Sequence, residues 1–349
     1  MNLDTITDAG EVERTIQEFF EERASRAESL GGQYARLWRG IEEATRGGKR
    51  IRPRMLLMTH EHLGGCDSRS ALLAGAAFEL LHTALLLHDD VLDGDLVRRG
   101  RPNLAGGFTA AALDAGHGAR AARSWGAASG VLAGDLLISG AHALVSSIES
   151  PARATVHRII DDALMITAAG EHADVGFALR MMRADGHDIL RMMKQKTAAY
   201  SFAAPLRAGA VLAGAPEEAV SALGRIGVAL GVVYQLRDDL LGVFGDESRT
   251  GKSALGDLRE GKRTLLVAFA EGSPEWDEVM HLFGRAALDA ADAERMRAAL
   301  VACGAAERVQ ELIVRQLDEV RGAIAAAPVP GALREELIRI AVRCAERDA

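Results

Sequence analysis

The sequence predicts an all-α fold, and three observations predict it. Hydrophobic residues make up 48% of the chain but aromatics only 4%, with 8 prolines in 349 residues, the composition of helices around an aliphatic core. Apolar residues recur at helical spacing nearly throughout, with no strand-like alternation of any length and no repeat of fixed period. Gly and Pro punctuate these stretches, and nothing between them has the composition of an interdomain linker. The expectation is one domain over residues 1–349, a single large helical bundle.

Taken in order, helices are expected at about residues 8–30, 34–46, 53–64, 68–94, 123–148, 152–178, 186–212 and 217–244. The helix from 53 follows a Gly47-Gly48 turn, and the one from 68 is an apolar run that ends in acid. Residues 100–122, rich in Gly and Ala, and 245–260 read as loops or short helical pieces. A shorter set follows at about 261–271, 275–285, 290–302, 306–326 and 331–346. Long antiparallel helices of this kind seat a ligand between facing helices, here in a central apolar cavity.

The most informative segment spans residues 85–102. Four carboxylates (Asp89, Asp90, Asp93, Asp95) fall within seven residues, behind Leu85-Leu86-Leu87 and ahead of Arg98-Arg99. Acid that dense beside an apolar wall is costly unless a metal or phosphate chemistry stabilises it. Asp89 and Asp93 stand i and i+4, on one helix face, where they can grip the same cation. Hard Mg²⁺ favours one or two carboxylates plus substrate phosphates, and Arg98 and Arg99 offer the fork that diphosphate oxygens match. A second acidic pair, Asp238-Asp239, ends another apolar helix in Tyr234-Gln235-Leu236-Arg237-Asp238-Asp239. Two such pairs on two helices would hold a cation cluster.

Basic residues fall in four places. Gly47-Gly48-Lys49-Arg50-Ile51-Arg52-Pro53 sets Lys49 and Arg52 near a helix start, where backbone N–H groups also favour anions. Lys196-Thr197 lies beside Met192, Met193 and Tyr200; Thr250-Gly251-Lys252 and Glu260-Gly261-Lys262 follow the second acidic pair. Taken singly, each reads as surface decoration, and only the set carries a signal. A net charge of −8 and a pI near 5.7 argue against a nucleic-acid partner. Cys66, Cys303 and Cys344 are odd in number and widely spaced, which fits a reduced, cytoplasmic chain. The acidic N-terminus lacks a signal core, and no unbroken apolar run reaches the roughly 18 residues of a membrane span, so no integral membrane protein is expected.

These motifs, in this order, resemble the trans-isoprenyl diphosphate synthases of the polyprenyl synthetase family. The family's GGKR(L/I)RP stands at 47–53, its first DDxxD at Asp89-Asp90-Val91-Leu92-Asp93, its RRGxP at 98–102 and its GDxL at 134–137. Its KT is Lys196-Thr197, its QxxDD is Gln235, Asp238 and Asp239, and its TGK and DLxEGK stand at 250–252 and 257–262. The resemblance implies an isoprenoid-synthase bundle that condenses isopentenyl diphosphate head-to-tail with an allylic diphosphate. It implies Mg²⁺ on Asp89, Asp93 and Asp238, with Asp90 and Asp239 in support. Arg98, Lys196, Lys252 and Lys262 would hold the allylic diphosphate, and Lys49, Arg52, His82 and Arg99 the isopentenyl diphosphate. Thr197 and Gln235 would turn dipoles toward the carbocation. A homodimer is implied too. Positions Ala84 and Leu85 lack the aromatics of short-chain members, leaving Leu81 and then Phe78 as the floor of a product pocket. That points to geranylgeranyl diphosphate, with farnesyl or longer products as alternatives. Two departures stand out. Gly242 replaces the last aspartate of the second motif, the one feature that would suit a non-catalytic partner subunit, and Gly170-Glu171 replaces the usual Gly-Gln.

Overall fold

The computed structural model describes residues 9–98, 100–245, 256–285 and 287–347. The chain gathers into two compact units, one of Met1–Ile160 with Pro205–Pro216, the other of Asp161–Ala204 with Glu217–Ala349.

In the first unit α1 (Ala9–Ser29), α2 (Gly32–Thr45), α3 (Ile51–His62), α5 (Leu104–Asp114) and α6 (Ala119–Ser146) all pack on α4 (Ser68–Leu92). Asp67 caps α4 by accepting from the Ser70 amide at 3.0 Å. Its small residues Ala71, Ala74, Ala76 and Ala77 and its large ones Phe78, Leu80 and Leu81 are all fully buried, so neighbours surround it on most sides. The helix stops where Gly94 takes a left-handed φ of 73°, and the Asp95 amide turns back to the Asp90 carbonyl at 2.8 Å. That turn feeds a two-residue hairpin, β1 (Val97–Arg98) against β2 (Arg101–Pro102), which period-2 patterning is too short to reveal. Residues 100–122 thus hold a strand, α5 and the start of α6.

The second unit takes most of α7 (Arg153–Ala178), then α8 (Gly186–Met193) and α10 (Glu217–Phe244). Short helices α11 (Gly256–Glu260), α12 (Leu265–Ala270) and α13 (Pro274–Val279) precede α14 (Ala290–Ala302), α15 (Ala305–Ala326) and α16 (Gly331–Glu346). Helix α10 is the axis, contacting α15 and α16. The stretch expected as one helix over 186–212 is interrupted: Lys194–Ala203 is π-helical, and α9 (Ala204–Leu212) resumes after it. Side-chain spacing cannot separate a π-turn from an α-turn over so few residues.

Helices α4, α6 and α10 are each long and apolar enough to cross a membrane when a few charged residues are allowed. Their apolar windows are 72%, 50% and 67% buried within the protein.

Candidate active site

The first acidic motif closes α4. Asp90 faces inward and is buried, whereas Asp93 is exposed at the helix end and Asp89 is half-buried. The hairpin folds Arg98 onto the pair. Its Nε donates to Asp90 Oδ1 at 2.8 Å, and its Nη2 lies 2.6 Å from the same oxygen and 3.3 Å from Asp89 Oδ2. Burial pushes the Asp90 carboxyl up, and the Arg98 guanidinium pulls against it. Burial likewise disfavours the Arg98 charge, but Asp90 and Asp89 outweigh that and hold it above its ordinary value. His88 lies against Gly134, where a Cβ would stand 2.1 Å from Nε2, and reaches Asp135 at 3.5 Å. The GDxL pair therefore seats the histidine that precedes the aspartates.

Lys49 is exposed just ahead of α3 and Arg52 is half-buried in its first turn. Between them Arg50 turns inward at a left-handed φ of 48°. Its guanidinium meets Glu79 of α4 at 3.1 Å, Glu13 of α1 at 2.5 Å and the Thr45 carbonyl at 2.9 Å. This arginine is a structural tie among four elements. His82 is half-buried on α4, seven residues before Asp89.

The second unit carries the second acidic motif and its neighbours. In the π-helical turn Lys196 points to α7, its Nζ 2.6 Å from Asp174 Oδ2 and 3.0 Å from Glu171. Gly170 permits this approach, since a Cβ there would fall 2.2 Å from the Lys196 backbone nitrogen. The next residue serves another helix: Thr197 Oγ1 donates to Gln235 Oε1 at 2.8 Å, and Gln235 Nε2 donates to Asp239 Oδ1 at 2.7 Å. The π-turn and α10 come together over Gly227 and Gly231, where added Cβ atoms would lie 2.5 Å from Ala203 Cα and 2.4 Å from Ala198 Cβ. Asp239 is buried, and burial pushes its carboxyl well up. The Gln235 bond opposes that rise, while Asp257, Asp238 and Asp174 reinforce it. Asp238 is half-buried and takes the guanidinium of Arg347 at 3.3 Å, which also lies 4.9 Å over the Tyr234 ring. Lys262 pairs with Glu260 at 2.9 Å and reaches Asp257 at 3.8 Å. A cavity lined by Asp174, Lys196, Thr197, Gln235, Asp239 and Lys262, with Met192 and Met193 as its apolar wall, joins these groups.

Arg99 and Lys252 lie outside the described residues. Phe78, Leu81 and Ala84 are fully buried on α4, and Leu85 is half-buried. Sequence reasoning missed Arg347, for which no motif gives a signal, and left Asp257 without a role although it opens the quoted DLxEGK stretch. Each acidic pair has a protein cation on it, and all its donors are hard oxygens. That is the environment a divalent cation and a diphosphate suit.

The family model described as polyprenyl synthetase matches residues 37–300. A geranylfarnesyl diphosphate synthase of Aeropyrum pernix is 33% identical over 302 residues, 84% of this chain and 88% of that one. A geranylgeranyl diphosphate synthase of Methanosarcina mazei is 32% identical over 277 residues, 78% of each chain. Among solved structures, the geranylgeranyl pyrophosphate synthase of Corynebacterium glutamicum, complexed with isoprenyl diphosphate and magnesium, superposes with a TM-score of 0.90 at 27% identity. That match covers 99% of this chain and 100% of that one. Motif order, helical bundle and whole-length likeness agree: the chain belongs to the polyprenyl synthetase family.

Proposed function

We propose that the protein is a trans-isoprenyl diphosphate synthase that condenses isopentenyl diphosphate head-to-tail with dimethylallyl, geranyl or farnesyl diphosphate and releases diphosphate. The observation that carries this reading is the pair of cation-bearing acidic motifs, with Arg98 on Asp89 and Asp90 and Arg347 on Asp238. Its relatives include synthases of C20 and C25 diphosphates.

Asp89, Asp93 and Asp238 would hold Mg²⁺, with Asp90 and Asp239 in support. Bound there, Mg²⁺ supplies the charge neutralisation that lowers the barrier to losing a diphosphate. Arg98 and Lys196 exchange their carboxylate partners in part for diphosphate oxygens, with Lys252 and Lys262 assisting. Lys49, Arg52, His82 and Arg99 take the isopentenyl diphosphate. The Thr197–Gln235–Asp239 chain fixes the hydroxyl and amide dipoles. An allylic cation then meets oriented oxygens and no nucleophile that would trap it. The proton lost on coupling goes to the departing diphosphate.

The C20 product is our reading of the wall on α4, where small Ala84 and Leu85 precede Leu81 and Phe78. We also read the protein as a homodimer, on the apolar Trp125 and Leu132 exposed seven residues apart on α6, and as cytoplasmic, on its free Cys66, Cys303 and Cys344. The direct test is incubation with Mg²⁺, isopentenyl diphosphate and each allylic primer, followed by mass spectrometry of the dephosphorylated products. A discrete C20 alcohol is expected. No prenyl alcohol from any primer would overturn the reading in favour of a non-catalytic partner subunit.

A further inference from the structure

Among the described residues, the non-glycines with a left-handed φ are both arginines, Arg50 at 48° and Arg180 at 58°. A side chain in that conformation crowds its own carbonyl, so it persists where something offsets the strain. For Arg50 the offset is its bonds to Glu13, Glu79 and the Thr45 carbonyl. Arg180 has no such partner: its guanidinium makes no hydrogen bond or ion pair among the described residues. It closes α7 as the left-handed residue of a Schellman turn. Its amide donates to the Phe177 carbonyl at 3.1 Å, and the Met181 amide to the Gly176 carbonyl at 2.9 Å. Glycine is the usual residue at this position, because it adopts the turn without steric cost. The turn itself gives no reason for an arginine.

The surroundings of the side chain do. Arg180 lines a cavity of about 190 Å³ with Arg263, Glu260 and Phe283, walled by Gly261 and Gly284. That volume is many times the roughly 10–15 Å³ one water needs. A Cβ on Gly261 would lie 3.1 Å from Gly284 Cα, so this wall is bare backbone and brings no side chain into the space. Lys262 takes Glu260 at 2.9 Å and Glu271 takes Arg263, which leaves the Arg180 charge uncompensated. An arginine fork with no carboxylate on it matches phosphate oxygens in pairs. Arg263 also lines the cavity at the second acidic motif, so the two spaces adjoin. On either side of Arg180, Leu179 and Met181 are 63% and 80% exposed.

We propose that Arg180 and Arg263 form a second anion site, for a phosphate or diphosphate group, apart from the positions that the reacting diphosphates occupy. The group is either free diphosphate, which the proposed reaction releases in the adjoining cavity, or the head of a prenyl diphosphate whose tail lies over Leu179 and Met181. The synthase reading supplies these two candidates, while the site needs only the residues named.

The test is isothermal titration of the full chain without Mg²⁺, with inorganic diphosphate and geranylgeranyl diphosphate as probes. Arg180→Gly and Arg180→Ala should each weaken one binding step by about tenfold or more, the worth of charge-assisted hydrogen bonds to an anion. Arg180→Gly alone should also raise the melting temperature, because relief of the left-handed strain exceeds the freedom that glycine adds to the unfolded chain. A variant that is more stable and yet binds the anion less tightly separates ligand loss from misfolding. Lys196→Ala should leave the Arg180-dependent step in place, since Lys196 lines the other cavity. Met181→Ser should weaken only geranylgeranyl diphosphate if the ligand is a prenyl head, and neither probe if it is free diphosphate. Unchanged affinity for both probes in both Arg180 variants overturns the proposal, whatever the activity. A protein that makes no prenyl alcohol but keeps an Arg180-dependent step loses the synthase reading and keeps this site.

Discussion

Asp89 and Asp90 are neighbours in sequence but not in environment. Asp90 is buried against Arg98, while Asp89 is half-buried and lies 3.3 Å from the same guanidinium. The more accessible member is the one we propose as the metal ligand. Asp89→Ala should cut kcat by about 10²–10³-fold or more, as losing one electrostatic stabiliser of a transition state does. A near-wild-type rate in steady-state assays would sink the assignment. Asp239 makes a different prediction. Its carboxyl is pushed well up by burial, so the fold prefers it protonated. A raised pKa contributes stability that is present below the ordinary value of about 3.9 and lost as pH rises through the folded value. Keeping this carboxyl buried above its ordinary pKa is costly to the metal-free protein, and Asp239→Asn should raise its melting temperature at pH 7.5. That gain should shrink toward pH 4, while turnover falls. Thermal scans at several pH values with and without Mg²⁺ check both. Cys344 illustrates the same physics without function, since burial pushes its thiol up to about 12.

At the scale of elements, close approach decides the site. Helix α10 meets the π-turn over Gly231, and an added Cβ would meet the Ala198 backbone at 2.5 Å. Alanine ordinarily gains about 1 kcal/mol over glycine inside a helix. Here overpacking of about 1–3 kcal/mol should exceed that, because backbone cannot step aside as a flexible side chain does. Gly231→Ala is expected to be net destabilising in urea unfolding and to lower kcat by loosening the Thr197–Gln235 bond. Phe78→Ala belongs to α4. Eleven residues up from Asp89 is about 16 Å along the helix, the depth of a long prenyl tail. Truncation should cost about 3–5 kcal/mol as a buried cavity and lengthen the product, read by mass spectrometry. An unchanged product would leave Phe78 as core packing. The long helices and the two acidic motifs were legible in sequence because their signals are local and periodic. The π-turn was not, for its apolar spacing mimics an α-helix over ten residues. Nor was the Arg50 tie to Glu13 and Glu79, because a GGKR motif shows charges without showing which of them turns inward. Arg347 on Asp238 joins residues 109 apart, beyond any pattern of spacing.

For the whole molecule, the proposed homodimer predicts a sedimentation-equilibrium mass about twice 37.1 kDa. A charged substitution at Trp125 or Leu132 should lower it, and a wild type that stays monomeric would remove the α6 face as an interface. The three helices long enough for a bilayer carry a different consequence, one for biosynthesis. In the first unit α4 is covered most extensively by α6, whose last residue, Ser146, emerges 54 residues after Leu92 (146 − 92). At roughly 5–20 residues per second that interval is about 3–11 s. Throughout it the ribosome displays a segment long and apolar enough to cross a membrane. The expected consequence is that nascent-chain chaperones raise the yield of folded protein, measured by in vitro translation with and without them.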